Sequence, residues 1–150
     1  MRESMNIEKM TGLEIMQAIL RGELSHPTMS ESIPMKVMLV EKGKVVFNAI
    51  ANDKHLNPQG GVHGGFAATV LDSVTGCAVH TLLGAGVAYG TIDLNIKMLR
   101  PVPRDENLIA EGKVINLSKS LGVSEGTLKS KEGKLYATST ATCMIINKTE

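Results

Sequence analysis

Four strand-like runs follow one another in the second half of the chain, and no helical segment separates them. Their connections are short and rich in turn residues, such as Arg100-Pro101-Val102-Pro103 and Lys131-Glu132-Gly133. Parallel strands need longer, usually helical, crossovers, so this order argues against βαβ units and favours an antiparallel meander. The runs are residues 89–99, 107–118, 121–130 and 134–146.

One long segment with helical periodicity precedes these strands and predicts a helix over about residues 63–83, with Gly84 as its C-terminal cap. Two more strands are predicted within residues 35–51, around a turn at 41–44. A single sheet with the helix packed on its concave face buries the apolar surfaces of both, so the fold class is α+β. The apolar helix positions are Phe66, Val70, Val74, Cys77 and Thr81, with Ala67, Leu71 and Ala78 beside them.

The beginning of the chain has a different character. Residues 11–25 predict a short helix, with Thr11 and Glu14 at the spacing of a capping box. His26-Pro27 ends it, because a residue before proline disfavours helical geometry. We therefore divide the chain into an N-terminal helical extension, residues 1–34, and one domain, residues 35–150.

Composition excludes several classes of function. A net charge of +1 and 3% aromatic residues provide neither the field nor the stacking surfaces for nucleic acid. The sequence contains no run of 18 apolar residues that would predict a membrane span, and its N-terminus lacks a secretory signal. We therefore expect a cytoplasmic protein. In that compartment Cys77 and Cys143 are expected to be reduced thiols, although one long-range disulfide is possible.

A glycine-rich loop, Asn57 to Gly65, leads directly into the long helix. The first N–H groups of a helix have no partner within the helix, and its dipole adds partial positive charge there. Such a place suits a phosphate, or a carbonyl oxygen that becomes an oxyanion. The alternative interpretation is a tight loop that needs glycine only for its turns.

Asp72 is an acidic residue in the middle of this otherwise apolar helix. It shares a face of small and polar residues with Gly65, Thr69 and Gly76. A carboxylate on a small-residue surface leaves space for a ligand, which favours a catalytic role. The alternative is an ordinary acidic residue on a solvated face.

Gly64 and Asp72 are eight residues apart, which is about 12 Å along a helix. One substrate carbonyl cannot easily contact both. If both act at one centre, they come from two copies of the helix. The small face around Asp72 could let two such helices approach each other across a two-fold axis.

Other candidates have more than one interpretation. His63 is either an acid or base or a cap of the loop. The four histidines show no metal-ligand spacing with cysteines or carboxylates, so no metal is expected. Cys77 lies on the apolar helix face without an evident base and is interpreted as core filling. Basic residues near strand ends, among them Arg100 and Lys119, either meet phosphates or serve solubility.

The run LNPQGGVHGGFAATVLDSVTGCAVHTL resembles the PaaI-type acyl-CoA thioesterases with the hotdog fold. YGTIDLNIKMLRPV resembles the strand that follows the long helix in that family, and KLYATSTATCMI resembles its last strand. The resemblance covers residues 35–146, and the N-terminal helix is an extension found in some members. It implies an antiparallel sheet wrapped around a long central helix, in a homodimer or a tetramer made of two dimers.

The resemblance also implies roles for individual residues. Asp72 matches the general base or nucleophile, Asn57 the loop residue that orients the thioester or water, and His63-Gly64 the step whose glycine amide polarises the carbonyl. Thr91 matches a hydroxyl residue that assists the water or the carboxylate. No sharp CoA signature is present, so Gly65, Arg100, Lys119 and Ser120 are only candidates for CoA contacts.

The function implied is hydrolysis of an acyl-CoA, aryl or of short to medium chain, to a free acid and CoA. The partner is the acyl-CoA itself, and no separate cofactor is expected because CoA is part of the substrate. Two alternatives are a non-catalytic acyl-CoA-binding module, which would need no Asp72, and a hotdog enoyl-CoA hydratase.

Overall fold

The computed structural model describes residues 5–148, and it has the predicted α+β architecture. Six antiparallel strands form one sheet around a central helix. Single turns of 3₁₀ helix at Ile7–Lys9 and Asp53–His55 accompany the main elements. These are α1 (Gly12–Leu20), α2 (Met29–Ser32), β1 (Met35–Glu41), β2 (Lys44–Ala49), α3 (Gly64–His80), β3 (Ala88–Met98), β4 (Leu108–Leu117), β5 (Leu121–Ser130) and β6 (Leu135–Ile146).

The strand order is β1-β2-β4-β5-β6-β3, which differs from the predicted meander at one strand. Strands β4, β5 and β6 are consecutive neighbours, as expected. Strand β3 instead pairs with β6 at the far edge. The reason is α3, which crosses the concave face of the sheet between β2 and β3 and so delivers the chain to the opposite edge. Local patterns do not show this crossing.

Helix α3 buries the apolar face that its periodicity predicts. Phe66, Val70, Leu71 and Val74 are almost completely buried against the sheet. The helix ends at His80, with Thr81 as its C-cap, so the expected end near Gly84 is wrong by about one turn. Residues 81–87 form the loop that connects α3 to β3.

The contact between α3 and β4 is unusually close. Gly112 of β4 faces the carbonyl group of Val74, and a Cβ atom at residue 112 would overlap that carbonyl. The Ser124 hydroxyl donates a hydrogen bond to the Thr75 carbonyl oxygen at 3.1 Å. Helix backbone and sheet backbone therefore touch directly, which fixes the height of α3 above the sheet.

Helix α1 begins as predicted and ends earlier than predicted. The capping box between Thr11 and Glu14 is present. The helix stops at Leu20 because Gly22 adopts a left-handed φ of 74°, and the Glu23 N–H donates to the Ala18 carbonyl oxygen at 2.9 Å. This is the Schellman arrangement, which satisfies terminal carbonyls of a helix. The polar linker after it contains the one-turn helix α2.

Two strands lie at the edges of the sheet, and β3 is the longer. It spans 11 residues and pairs with β6 on one side only. Its pairing shifts by one residue between Thr91 and Asp93, and Ile92 at this bulge is 57% exposed. A long edge strand presents unpaired backbone groups that can pair with another chain. Within residues 5–148, no helix is both long and apolar enough to cross a membrane.

The substitution Gly112→Ala tests how α3 is held in place. The added methyl group overlaps a backbone carbonyl, which cannot rotate away as a side chain could. We expect a loss of about 1–3 kcal/mol or more in the free energy of unfolding, measured by urea denaturation. The control is Gly84→Ala, where the nearest atom lies 4.0 Å from the added Cβ. Equal denaturation midpoints for the two variants would contradict the close contact.

Candidate active site

The loop that precedes α3 is held closed by Asn57. Its side-chain Oδ1 accepts hydrogen bonds from the backbone N–H groups of Gln59 at 3.0 Å and Gly61 at 3.2 Å. The Asn57 N–H donates to the Gly61 carbonyl oxygen at 2.7 Å. An Asx turn of this kind rigidifies the loop. Asn57 is therefore a structural residue of the loop through Oδ1, while its Nδ2 donates to no residue within 5–148.

His63 is the N-cap of α3. Its Nδ1 accepts a hydrogen bond from the Gly65 N–H at 2.8 Å, so the proton of the neutral ring lies on Nε2. The N–H of Gly64, the first residue of the helix, has no acceptor among residues 5–148. Of the two predicted roles for His63, the cap is visible. It leaves the Gly64 amide free at the positive end of a 17-residue helix.

The Gly64 amide lies beside a shallow cavity of about 260 Å³. The Met98 side chain covers Gly64 from β3, and Sδ lies only 2.8 Å from where a Cβ of residue 64 would be. Arg100 lines the same cavity, and its Nη1 donates to the Leu135 carbonyl oxygen at 2.7 Å. This cavity is one half of the predicted site.

Asp72 lines a different cavity, of about 380 Å³. Its Oδ1 is buried and has no hydrogen-bond partner among the described residues. No ion pair within residues 5–148 includes this carboxylate. Leaving a buried polar atom unpaired costs about 1–3 kcal/mol, so a ligand or another molecule is the natural partner of this oxygen.

Thr91 lines the same cavity as Asp72, as the predicted cooperation of the two residues requires. Its hydroxyl lies 3.8 Å from the Cys143 sulfur. Cys77 also reaches the cavity instead of only filling the core. Burial raises the pKa of Cys77 to about 12 and also raises the pKa of Cys143, so both are protonated thiols at neutral pH. Neither cysteine has the thiolate character of a nucleophile.

The face around Asp72 is covered at one end within its own chain. Gly76, one turn beyond Asp72, is covered by the ring of Tyr89, whose Cε2 lies 2.8 Å from the position of a Cβ at residue 76. The Gly76 end of this small-residue face is therefore filled, and the approach of a second helix at Gly65, Thr69 and Asp72 stays a prediction. At Gly76 the face accommodates an aromatic side chain of the same chain.

The predicted site residues fall into two groups. Asn57, His63, Gly64 and Gly65 lie at the beginning of α3, and Asp72 and Thr91 line the larger cavity. The two cavities share no lining residue. One chain therefore does not bring the helix-terminal amide and the carboxylate to one point, as the helix rise predicts.

The candidates for CoA contacts are also separated. Arg100 binds the Leu135 carbonyl at one end of β6, and the Ser120 carbonyl accepts from the Ile145 N–H at the other end. Ten residues of strand separate these points, which is roughly 33 Å. Lys119 and Ser120 therefore do not form one binding site with Arg100 and Gly65 within a single chain.

Two features of the site are not predicted from the sequence. Tyr89 forms a wall of the larger cavity, and α1 with residues 26–30 forms another. The only signal for the second is the cluster of methionines and prolines at residues 27–35, which has no helical or strand periodicity. Among residues 5–148, no three His, Cys, Asp or Glu side chains lie close enough together to hold a metal ion.

Comparison with known proteins gives a consistent assignment. A Halobacterium salinarum protein described provisionally as an esterase is 45% identical over 69 residues, which span only 44% of its length. Human acyl-coenzyme A thioesterase 13 is 29% identical over 110 residues, covering 71% of this chain and 78% of that protein. The first relative is described as an esterase and the second as a thioesterase, so both descriptions name the cleavage of an ester or thioester bond.

Solved structures agree with the sequence relatives. A phenylacetic acid degradation-related protein of Ralstonia eutropha, described as a thioesterase, has a TM-score of 0.78 and 33% identity. The match covers 86% of this chain and 98% of that one. A family model of the thioesterase superfamily matches residues 59–137, more than half of the chain. The chain therefore belongs to the thioesterase superfamily of thioester hydrolases, and the predicted resemblance to its PaaI-type branch with the hotdog fold is confirmed.

Proposed function

We propose that this protein hydrolyses an acyl-CoA to a free acid and CoA. The observation that carries the proposal is the Asp72 carboxylate, which lines a largely apolar cavity and has a buried oxygen without a partner. Apolar walls suit an acyl group of aryl or short to medium-chain type, and a single acidic group suits a reaction at its carbonyl end. The name of the human relative supports CoA as the carrier.

The proposed reaction uses two groups of α3, the Asp72 carboxylate and the Gly64 N–H. Water attacks the thioester carbonyl carbon while the Asp72 carboxylate takes its proton, or the carboxylate attacks first and water then cleaves the acyl-enzyme anhydride. The free Gly64 N–H stabilises the negative oxygen that develops on the carbonyl. The carbon–sulfur bond breaks, and the CoA thiolate leaves and takes up a proton. Protein groups and water are sufficient, so we propose no cofactor.

Both groups reach one substrate when two chains pair through β3. Thr91 and the Asp72 cavity lie near the beginning of this edge strand, and Met98 with Gly64 lies at its end. Antiparallel pairing about a two-fold axis near Leu94 brings residue 98 of one chain opposite residue 91 of the other. Each of two equivalent sites then combines Gly64 of one chain with Asp72 of its partner. A tetramer made of two such dimers remains a prediction.

The same pairing improves the geometry for CoA. It brings Arg100 of one chain to the end of the sheet where the other chain carries Lys119 and Ser120. A phosphate-bearing substrate can then contact residues that are roughly 33 Å apart in a single chain. We therefore propose that these residues contribute to CoA binding only in the dimer.

Asp72→Asn tests the role of the carboxylate. The amide keeps the shape of the side chain and removes both the base and the nucleophile. With a panel of acyl-CoA substrates and detection of the released thiol, we expect kcat to fall by about 10²–10⁴ relative to wild type. Unchanged thermal unfolding serves as the control for folding. A folded Asp72→Asn variant that retains most of its kcat would exclude Asp72 as the reacting group.

His63 is a positioning residue in this proposal, because its imidazole caps the helix that presents Gly64. Asparagine is a good N-cap and alanine is a poor one, so His63→Ala loses about 1 kcal/mol of stability and His63→Asn retains it. We expect His63→Asn to keep kcat within about tenfold of wild type, by steady-state assay. If the stable His63→Asn variant lost activity as Asp72→Asn does, His63 would act on the substrate itself.

Subunit mixing tests whether two chains share each site. Gly64→Pro removes the helix-terminal N–H, and proline is tolerated at the first helical position. Gly64→Ala keeps the N–H and serves as its matched control. Gly64→Pro and Asp72→Asn homodimers are each expected to be nearly inactive.

After exchange of subunits, half of the dimers are mixed, and each mixed dimer has one intact site of two. Activity therefore returns to roughly a quarter of wild type. Exchange is verified by mass spectrometry. If activity does not return although mixed dimers have formed, both groups act within a single chain.

A further inference from the structure

The cavity that Asp72 lines is closed on one side by the N-terminal extension. The extension contributes Ile15, Met16 and Ile19 of α1 and four residues that follow it, His26, Pro27, Met29 and Ser30. These residues precede the part of the chain that matches the thioesterase superfamily, residues 59–137. The wall they form therefore lies outside the segment that the family model matches.

The extension is anchored firmly to that domain. Gly12 lies directly on the His80 carbonyl group, where a Cβ atom would overlap it, and its N–H donates to the Leu83 carbonyl oxygen at 3.0 Å. Met16 and Ala18 are buried. Helix α1 therefore has a fixed position against the C-terminal end of α3, and it can act as a rigid wall of the cavity.

The segment after α1 is tied down by two histidines. The His26 Nε2 accepts a hydrogen bond from the Val37 N–H of β1 at 3.1 Å. Burial and the nearby Lys36 lower the pKa of His26, which favours the neutral ring that can accept this bond. At the other end, His55 Nε2 and the Ser32 carbonyl oxygen are 2.7 Å apart. Both ends of the segment at residues 26–32 are thus attached to the domain.

The size and lining of the cavity define the ligand that it suits. Its volume of about 380 Å³ is more than twice the roughly 150 Å³ of a cavity known to take a benzene molecule. Three of its residues are methionines, Met16, Met29 and Met35, whose unbranched side chains adapt to flexible ligands. An acetyl group would leave most of this space empty.

We infer that residues 12–33 of the N-terminal extension are the specificity element of the enzyme, and that they select flexible acyl chains of medium length over acetyl groups. This inference rests on the proposed acyl-CoA hydrolysis for the position of the thioester at Asp72. The extension lines the same cavity as Asp72, so its side chains limit the length of the acyl chain that fits there.

Ser30→Trp tests the inference, because residue 30 lines the cavity and is only partly exposed. The matched control is Ser32→Trp, an exposed position on the same short helix that does not line the cavity. The probes are S-octyl-CoA and S-ethyl-CoA, thioethers that lack the carbonyl and cannot be hydrolysed. Dissociation constants are measured by titration calorimetry, and kcat/KM is measured for octanoyl-CoA and acetyl-CoA.

We expect Ser30→Trp to weaken binding of S-octyl-CoA at least tenfold and to leave S-ethyl-CoA within about twofold, since filling a pocket changes affinity for the group that occupies it. The kcat/KM for octanoyl-CoA falls with it, and that for acetyl-CoA does not. Ser32→Trp leaves all four values unchanged. Ile15→Phe in α1, with Leu20→Phe as its exposed control, repeats the test from a second position.

The outcomes separate the inference from the proposed function. If S-octyl-CoA binding responds to both lining variants but no acyl-CoA is hydrolysed by the wild type, the specificity element stands and the proposed reaction is wrong. If acyl-CoA is hydrolysed and neither Ser30→Trp nor Ile15→Phe changes the preference between octyl and ethyl groups, the extension is only structural and the inference is overturned.

Discussion

The close contact between α3 and the sheet is the constraint on which the rest of the structure depends. Gly112 lets the Val74 carbonyl lie against β4, and Ser124 donates to the next carbonyl of the helix. A helix held this low has one fixed axial position. Its N-terminal amide then emerges beside Met98, and Asp72 faces the opposite cavity beneath α1. Packing in the core thus places two chemical groups that are not themselves in the core.

The rise of the helix is the reason for the proposal that these groups act together across two chains. Two residues eight positions apart on a rigid helix cannot converge on one carbonyl, whatever the side chains around them do. Strand β3 can join the two halves of the site. Thr91, near its beginning, lies at the Asp72 cavity, Met98 at its end covers Gly64, and one edge of the strand is unpaired within the chain. Pairing of two such edges would satisfy the backbone groups of both strands and complete two sites at once.

Much of this was predictable from local patterns. Strand bounds, the capping box of Thr11 and the buried face of α3 follow from periodicity and capping chemistry, which act over a few residues. The placement of β3, the cover that Tyr89 gives Gly76 and the division of the site into two cavities depend on residues distant in sequence. The early end of α1 is an intermediate case, because Gly22 is visible in the sequence but the prediction ends the helix at His26-Pro27.

The unpaired oxygen of Asp72 connects the fold to the proposed chemistry. A protein that needed only a structural side chain here could avoid the cost of a buried, unsatisfied carboxylate oxygen with alanine or serine. Hydroxyls elsewhere on the helix avoid that cost locally, as Thr69 and Ser73 donate to the carbonyl four residues earlier. Asp72 has no such local solution, because a carboxylate has no proton to donate to a carbonyl. Its stabilisation therefore has to come from what enters the cavity or from the partner chain, and that requirement is consistent with a group whose task is to react.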